Sequence, residues 1–81
     1  MRYPFIICYD IVSDRERRQV FTRLSAKGRA LQKSVFLVRM MPKEATRFEA
    51  QLTGLISPGD SILVVPVQRD TSLSGPVSRV I

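Results

Sequence analysis

The chain has 81 residues, of which 13 are Lys or Arg and 7 are Asp or Glu, for a formal charge of +6, with no histidine and a single cysteine. A chain this short supports one domain whose core supplies only roughly 3–5 kcal/mol, so self-association is expected to add stability. Without histidine there is no Ser-His-Asp or Cys-His nucleophile system and no zinc-finger ligand set, and Cys8 alone forms no internal disulfide.

No apolar run approaches the roughly 18 residues of a membrane span, and the composition reads as a cytoplasmic, reduced protein with no membrane partner. Ten of the 13 cations are arginine, whose planar fork of donors matches phosphate oxygens in a way lysine does not. Nucleic acid is the favoured partner, although +6 also falls within the range of roughly 2–8 that small soluble domains carry.

Tyr3 to Ile11 is rich in aromatic and β-branched residues, with Pro4 only at its start, and reads as a strand buried on both faces. Ser13-Asp14-Arg15-Glu16 has the capping-box spacing, in which serine serves the amide three residues on and glutamate reaches back. It opens a helix over Asp14 to Lys27, with Val20, Phe21 and Leu24 on one face and Gly28 as a left-handed C-terminal stop. Arg29 to Met41 reads as two strands joined by a bend near Ser34, or as one long kinked strand.

Pro42 fits the first turn of a second helix, in which Ala45, Phe48, Leu52, Leu55 and Ile56 share a face and which the Ser57-Pro58-Gly59-Asp60 turn stops. Ser61 to Val67 forms a last strand whose unbroken Ile62-Leu63-Val64-Val65 asks for cover on both faces. The order strand, helix, strand, strand, helix, strand is the split βαβ of an α+β, ferredoxin-like sandwich over residues 1–67. Two helices cover one face of such a sheet. Ile6 and Cys8 leave the other face apolar, which predicts a homodimer packed through the sheets. The tail, residues 68–81, is polar through Ser74-Gly75-Pro76 and then alternates Val77, Arg79 and Ile81 with Ser78 and Val80. It reads either as an unordered terminus or as a short fifth strand pairing with the partner protomer.

Asp10 is the residue that most needs an explanation, because a carboxylate ending an apolar strand is costly unless paired. In a lone chain a salt bridge to Arg17 or Arg18, or a cap on nearby amides, is the first explanation. In a dimer with Asp10 near the two-fold axis, two facing carboxylates become oxygen ligands for a hard cation such as Mg2+. Asp14 is accounted for by the helix dipole, Cys8 by the core, and Tyr9 by burial or by stacking on a base.

Arg15, Arg17, Arg18, Arg23, Lys27, Arg29 and Lys33 place seven cations in nineteen residues, opposed only by Asp14 and Glu16, which favours phosphate contact over a merely solvated face. An RNA-recognition motif shares the element order, but its third strand needs stacking aromatics, and Val35-Phe36-Leu37-Val38-Arg39-Met40 has one.

Taken in order, Tyr9-Asp10-Ile11, Asp14-Arg15-Glu16-Arg17-Arg18, Leu31-Gln32-Lys33-Ser34-Val35-Phe36 and Val65-Pro66-Val67 resemble the CRISPR-associated protein two family, small dimeric CRISPR-associated endoribonucleases. The resemblance spans roughly Tyr3 to Val67. It implies a ferredoxin-like homodimer and a magnesium-dependent phosphodiesterase, with Asp10 of each protomer as catalytic and metal-binding residue at the dimer axis. It also implies a part in spacer acquisition, the dimer bridging two copies of the CRISPR integrase subunit while its basic surface tracks the spacer duplex.

By position, Tyr9 and Asp10 match the strand motif, Arg17 or Arg18 the helix arginines, and Ser34 and Phe36 the Ser-Val-Phe segment, with Tyr9, Ser34 and Phe36 as supporting residues. Leu37 and Val38 depart from the polar residue or glycine many members carry there, and the tail is short for an exchanged strand. Two functions follow. The first is an endonuclease acting on single-stranded RNA or duplex DNA, held by Arg15, Arg17, Arg18, Arg29 and Lys33. The second is a non-catalytic nucleic-acid scaffold of the integrase complex; a related toxin-type RNase shares the fold.

Overall fold

The computed structural model describes residues 2–67, in the order β1 (Tyr3–Asp10), α1 (Asp14–Lys27), β2 (Gly28–Gln32), β3 (Val35–Met40), α2 (Pro42–Thr53) and β4 (Ser61–Pro66). The expected tail strand lies outside the described residues. The six elements and the bend at Lys33-Ser34 agree with the sequence pattern, two strands, not one kinked strand, precede α2, and α2 ends at Thr53, before Leu55 and Ile56, which the sequence pattern placed on it.

The strands form one antiparallel sheet in the order β2-β3-β1-β4, so β1 sits between β3 and β4. Alternation then decides what each face carries. Phe5, Ile7 and Tyr9 of β1 pack with Phe36, Val38 and Met40 of β3 under Val20 and Leu24 of α1 and Ala45, Phe48 and Leu52 of α2. Ile62 and Val64 of β4 close this core from the sheet edge. Both helices therefore cover the same face. The opposite face presents Ile6 and Cys8 of β1, Val35 and Leu37 of β3, and Leu63 and Val65 of β4, which are cross-strand neighbours. Leu63 is 58% exposed and Val65 40%, so the described residues leave an apolar sheet face uncovered. The expectation that both strands are buried on both faces is met for β1 on the helix side only, and in β4 Ile62 and Val64 are half-buried and the other residues exposed.

Two local readings change. Gly28 is extended (φ −151°, ψ −155°) and not left-handed; it begins β2 directly after α1. Its requirement is space. A Cβ there would lie 2.2 Å from the Leu37 carbonyl oxygen and 2.8 Å from Val38 Cγ2. Because the first obstacle is backbone, Gly28→Ala is expected to cost about 1–3 kcal/mol, read as a lower urea midpoint at unchanged slope.

Ser13 caps α1 as expected, accepting the Glu16 amide at 3.3 Å, but the Glu16 carboxylate does not reach back. It accepts the Ser57 hydroxyl instead, at 2.8 and 3.0 Å, because the turn after α2 lies beside the first turn of α1. In α2 the reciprocal arm does form, with the Met41 amide donating to Glu44 at 3.3 Å.

Asp60 locks the same turn to the end of β1, accepting the amides of Ser57 at 3.0 Å and Val12 at 3.1 Å. These two bonds favour the ionised form and hold the Asp60 carboxyl below its usual 3.8. A depressed folded-state pKa gives stability that is fully present above about 4 and is lost as pH falls through the folded value. The stability gap between the wild-type protein and Asp60→Ala is therefore expected to be largest near neutral pH and to narrow toward pH 2 in urea titrations. A gap independent of pH would remove this role from the carboxylate.

Candidate carboxylate site and nucleic-acid interface

β1 carries Asp10 to the end of the uncovered face, on the same side as Ile6 and Cys8 and opposite Ser61 in register. It is exposed in the protomer, and among the described residues its carboxylate has neither an ion pair nor a hydrogen bond. Burial therefore imposes no cost on it within one chain. The expected salt bridge to Arg17 does not form. The Arg17 guanidinium is committed to Asp14 and to the backbone carbonyls of Ile11 at 2.9 Å and Val12 at 3.4 Å, which close the bend between β1 and α1. Asp14 thus has a partner as well as a favourable place in the first helical turn.

Tyr9 points the other way. It is buried on the helix side, its ring 6.4 Å from that of Phe36 at 25°, and its amide donates to the Ser34 carbonyl at 3.1 Å. Burial raises the Tyr9 phenol above 10.0, against smaller opposing effects of the Ser34 side-chain hydrogen bond and the Arg17 charge, so it stays neutral at physiological pH. Phe36 is 1% exposed and supports the site through the core.

Around the phenol, the first half of α1 and the β2–β3 turn enclose an open recess of about 670 Å³, lined by Tyr9, Arg17, Arg18, Phe21, Lys33 and Ser34 among others. Phe21 is a departure from the sequence reading. Val20 and Leu24 are buried, but Phe21 is 48% exposed at the recess wall. Helical spacing gave only a weak signal, since Phe21 is turned about 100° from Val20 but only about 60° from Leu24 and so falls at the edge of the apolar face.

Arg15 and Arg18 extend the basic surface along the exposed side of α1, where a second shallow groove of about 470 Å³ also includes Arg23. Arg29 is exposed on β2, opposite Leu37 on the uncovered sheet face. The structure therefore separates the predicted residues. Arg15, Arg17, Arg18, Lys33, Tyr9 and Ser34 lie toward the helix side, while Asp10 and Arg29 lie on the open face. Among the described residues no three acidic or cysteine side chains cluster to hold a metal, and no helix is long and apolar enough to cross a membrane.

Comparison with known proteins agrees with this fold. A curated relative, CRISPR-associated endoribonuclease Cas2 2 of Thermodesulfovibrio yellowstonii, is 29% identical over 72 residues, covering 88% of this chain and 79% of its own. The crystal structure of Thermus thermophilus TT1823 superposes with a TM-score of 0.77 at 23% identity, covering 84% of each chain. Streptococcus pyogenes Cas2 superposes at 0.75 with 22% identity, covering 88% of this chain and 93% of its own. These neighbours share the ferredoxin-like fold. The profile described as CRISPR associated protein Cas2 matches residues 1–73, nearly the whole chain, and on that match the protein belongs to the Cas2 family.

Proposed function

We propose that two copies of this chain pair through the uncovered sheet face and form a magnesium-dependent endonuclease that hydrolyses phosphodiester bonds in RNA or DNA. One observation carries the reading: an exposed carboxylate, Asp10, without a partner among the described residues, at the end of an apolar sheet face that no described residue covers. The name of the Thermodesulfovibrio relative supports the nuclease assignment.

A single Asp10 is too sparse a donor set for a structural metal site, but Mg2+ keeps several waters and is held by one or two carboxylates. Two Asp10 side chains brought together by a two-fold axis fit that requirement with hard oxygen donors. When bound, the ion supplies activation of water and stabilisation of charge on the reacting phosphate. The chain supplies the rest. The Asp10 pair fixes where hydrolysis occurs, and Leu63 and Val65 exclude water once the faces meet. Cleavage of matched RNA and duplex DNA by purified protein should require Mg2+ and stop with EDTA; undiminished cleavage in EDTA would refute the metal role.

A second reading is favoured by the distribution of charge. Arg15, Arg18, Arg29 and Lys33 are exposed and have no ion pair among the described residues, whereas each chain offers one candidate catalytic carboxylate. In this reading the dimer is a scaffold that lays duplex DNA along its arginines and bridges CRISPR integrase subunits in spacer acquisition, with a doubled formal charge. Replacing Arg15 and Arg18 by alanine should lower the slope of log affinity against log salt by about 0.9 for each phosphate contact removed. An unchanged slope would place the duplex elsewhere.

A further inference from the structure

We infer that the helix-side recess beside Tyr9 receives one unpaired nucleotide of a nucleic-acid strand, its base against Phe21 and its phosphate between Arg18 and Lys33. The inference rests on the nucleic-acid reading above and adds a subsite to it on the face opposite Asp10.

A single exposed phenylalanine is ordinary on a protein surface. This one differs by its surroundings. Phe21 meets the buried Phe36 ring at 5.6 Å and 73°, which fixes its plane while leaving about half of it accessible. The recess volume of about 670 Å³ lies within the range of small-molecule sites, roughly 300–1,000 Å³. Its polar groups are of two kinds. Tyr9, Ser34 and Gln32 offer hydroxyl and amide groups, donors as well as acceptors, suited to the edge of a base.

Arg18 and Lys33 are exposed cations with no hydrogen bond or ion pair among the described residues, suited to a phosphate. Asp14 also lines the recess, but its charge is neutralised by Arg17, so it does not repel an anion there. An exposed aromatic ring, neutral polar groups and two cations lining one recess match the base, the base edge and the phosphate of one nucleotide. A base inside a duplex is stacked and cannot present its face to Phe21, so the ligand is unpaired: a tail, a loop or a splayed end. All of these residues belong to one protomer, so the subsite does not depend on the dimer.

The test uses the full-length protein and three probes: a blunt DNA duplex, the same duplex with a short single-stranded tail carrying 2-aminopurine, and a free nucleoside monophosphate. The tailed duplex should bind about tenfold more tightly than the blunt one, with quenching of 2-aminopurine by stacking. Phe21→Leu, which retains apolar bulk at a half-exposed position, should remove the difference without changing blunt-duplex affinity, and Phe21→Tyr should restore it. Equal affinities for the two duplexes, or unquenched 2-aminopurine on the wild-type protein, would overturn the subsite while leaving the nucleic-acid reading intact. Failure to bind either duplex would overturn the subsite and the duplex-scaffold reading together. Competition by the free monophosphate as strong as by the tailed duplex would make this a mononucleotide site and refute the strand assignment.

Discussion

Asp10→Ala is expected to lower metal-dependent cleavage by about 10²–10³-fold or more while leaving the fold intact, a combination that separates a chemical role from a structural one. The structural half follows from the protomer, in which Asp10 is exposed and makes no hydrogen bond or ion pair with a described residue. Surface changes of this kind usually stay within about 0.5 kcal/mol, so thermal and urea midpoints should barely move. The chemical half follows from position. Asp10 is the carboxylate of β1 on the uncovered face, and no other acidic cluster among the described residues replaces it. Asp10→Asn should also associate no more weakly than the wild-type protein in metal-free buffer, because two like charges facing across an axis oppose association. Cleavage by scrupulously purified Asp10→Ala at the wild-type rate would leave the scaffold reading standing alone.

Phe36→Ala is expected to produce the largest loss of stability, about 3–5 kcal/mol, and to lose activity only through unfolding. Phe36 is 1% exposed, stacked against Tyr9 and in contact with Phe21, so its removal leaves a cavity beneath both walls of the recess. Native domains are stable by only about 5–15 kcal/mol, and a chain of this size sits toward the low end. The variant should therefore be partly unfolded at growth temperature, and its residual activity should follow the folded fraction. Phe36→Leu should recover much of the midpoint and of the activity together. Full stability with lost cleavage in Phe36→Ala would instead place the ring in direct contact with substrate.

The chain order of elements was legible because its punctuation is chemical: Ser13 at a helix start, Pro42 at the next, and Pro58-Gly59 in a turn where Gly59 adopts a φ of 96°. What periodicity does not disclose is which face the helices choose. β1 and β4 carry apolar residues on both sides, a pattern that two-sided cover and a one-sided sheet awaiting a partner produce equally. Gly28 illustrates a different limit. Its position after a helix suggests a left-handed stop, yet the chain passes straight into β2, and only the proximity of the Leu37 carbonyl explains the missing side chain.

The site was legible in part for the same reasons. Asp10 stood out as a charge closing an apolar strand, and its exposure on the open face preserves that interest while removing the salt bridge that would have explained it locally. The arginines were visible as a run, but sequence could not show that Arg17 is spent on Asp14 and two carbonyls while Arg18 remains available. Nor could it bring Phe21 and Ser34 to one recess, which the packing of α1 on β2 and β3 creates.

The most direct measurement of the central claim is metal stoichiometry, because it tests the shared carboxylate pair without depending on any substrate. Mn2+ binding followed by electron paramagnetic resonance, with the oligomeric state measured in the same buffer, should give one ion for every two chains of a dimer and none for Asp10→Asn. Binding of one ion per chain, or binding retained in Asp10→Asn, would contradict an Asp10 pair as the metal-holding site.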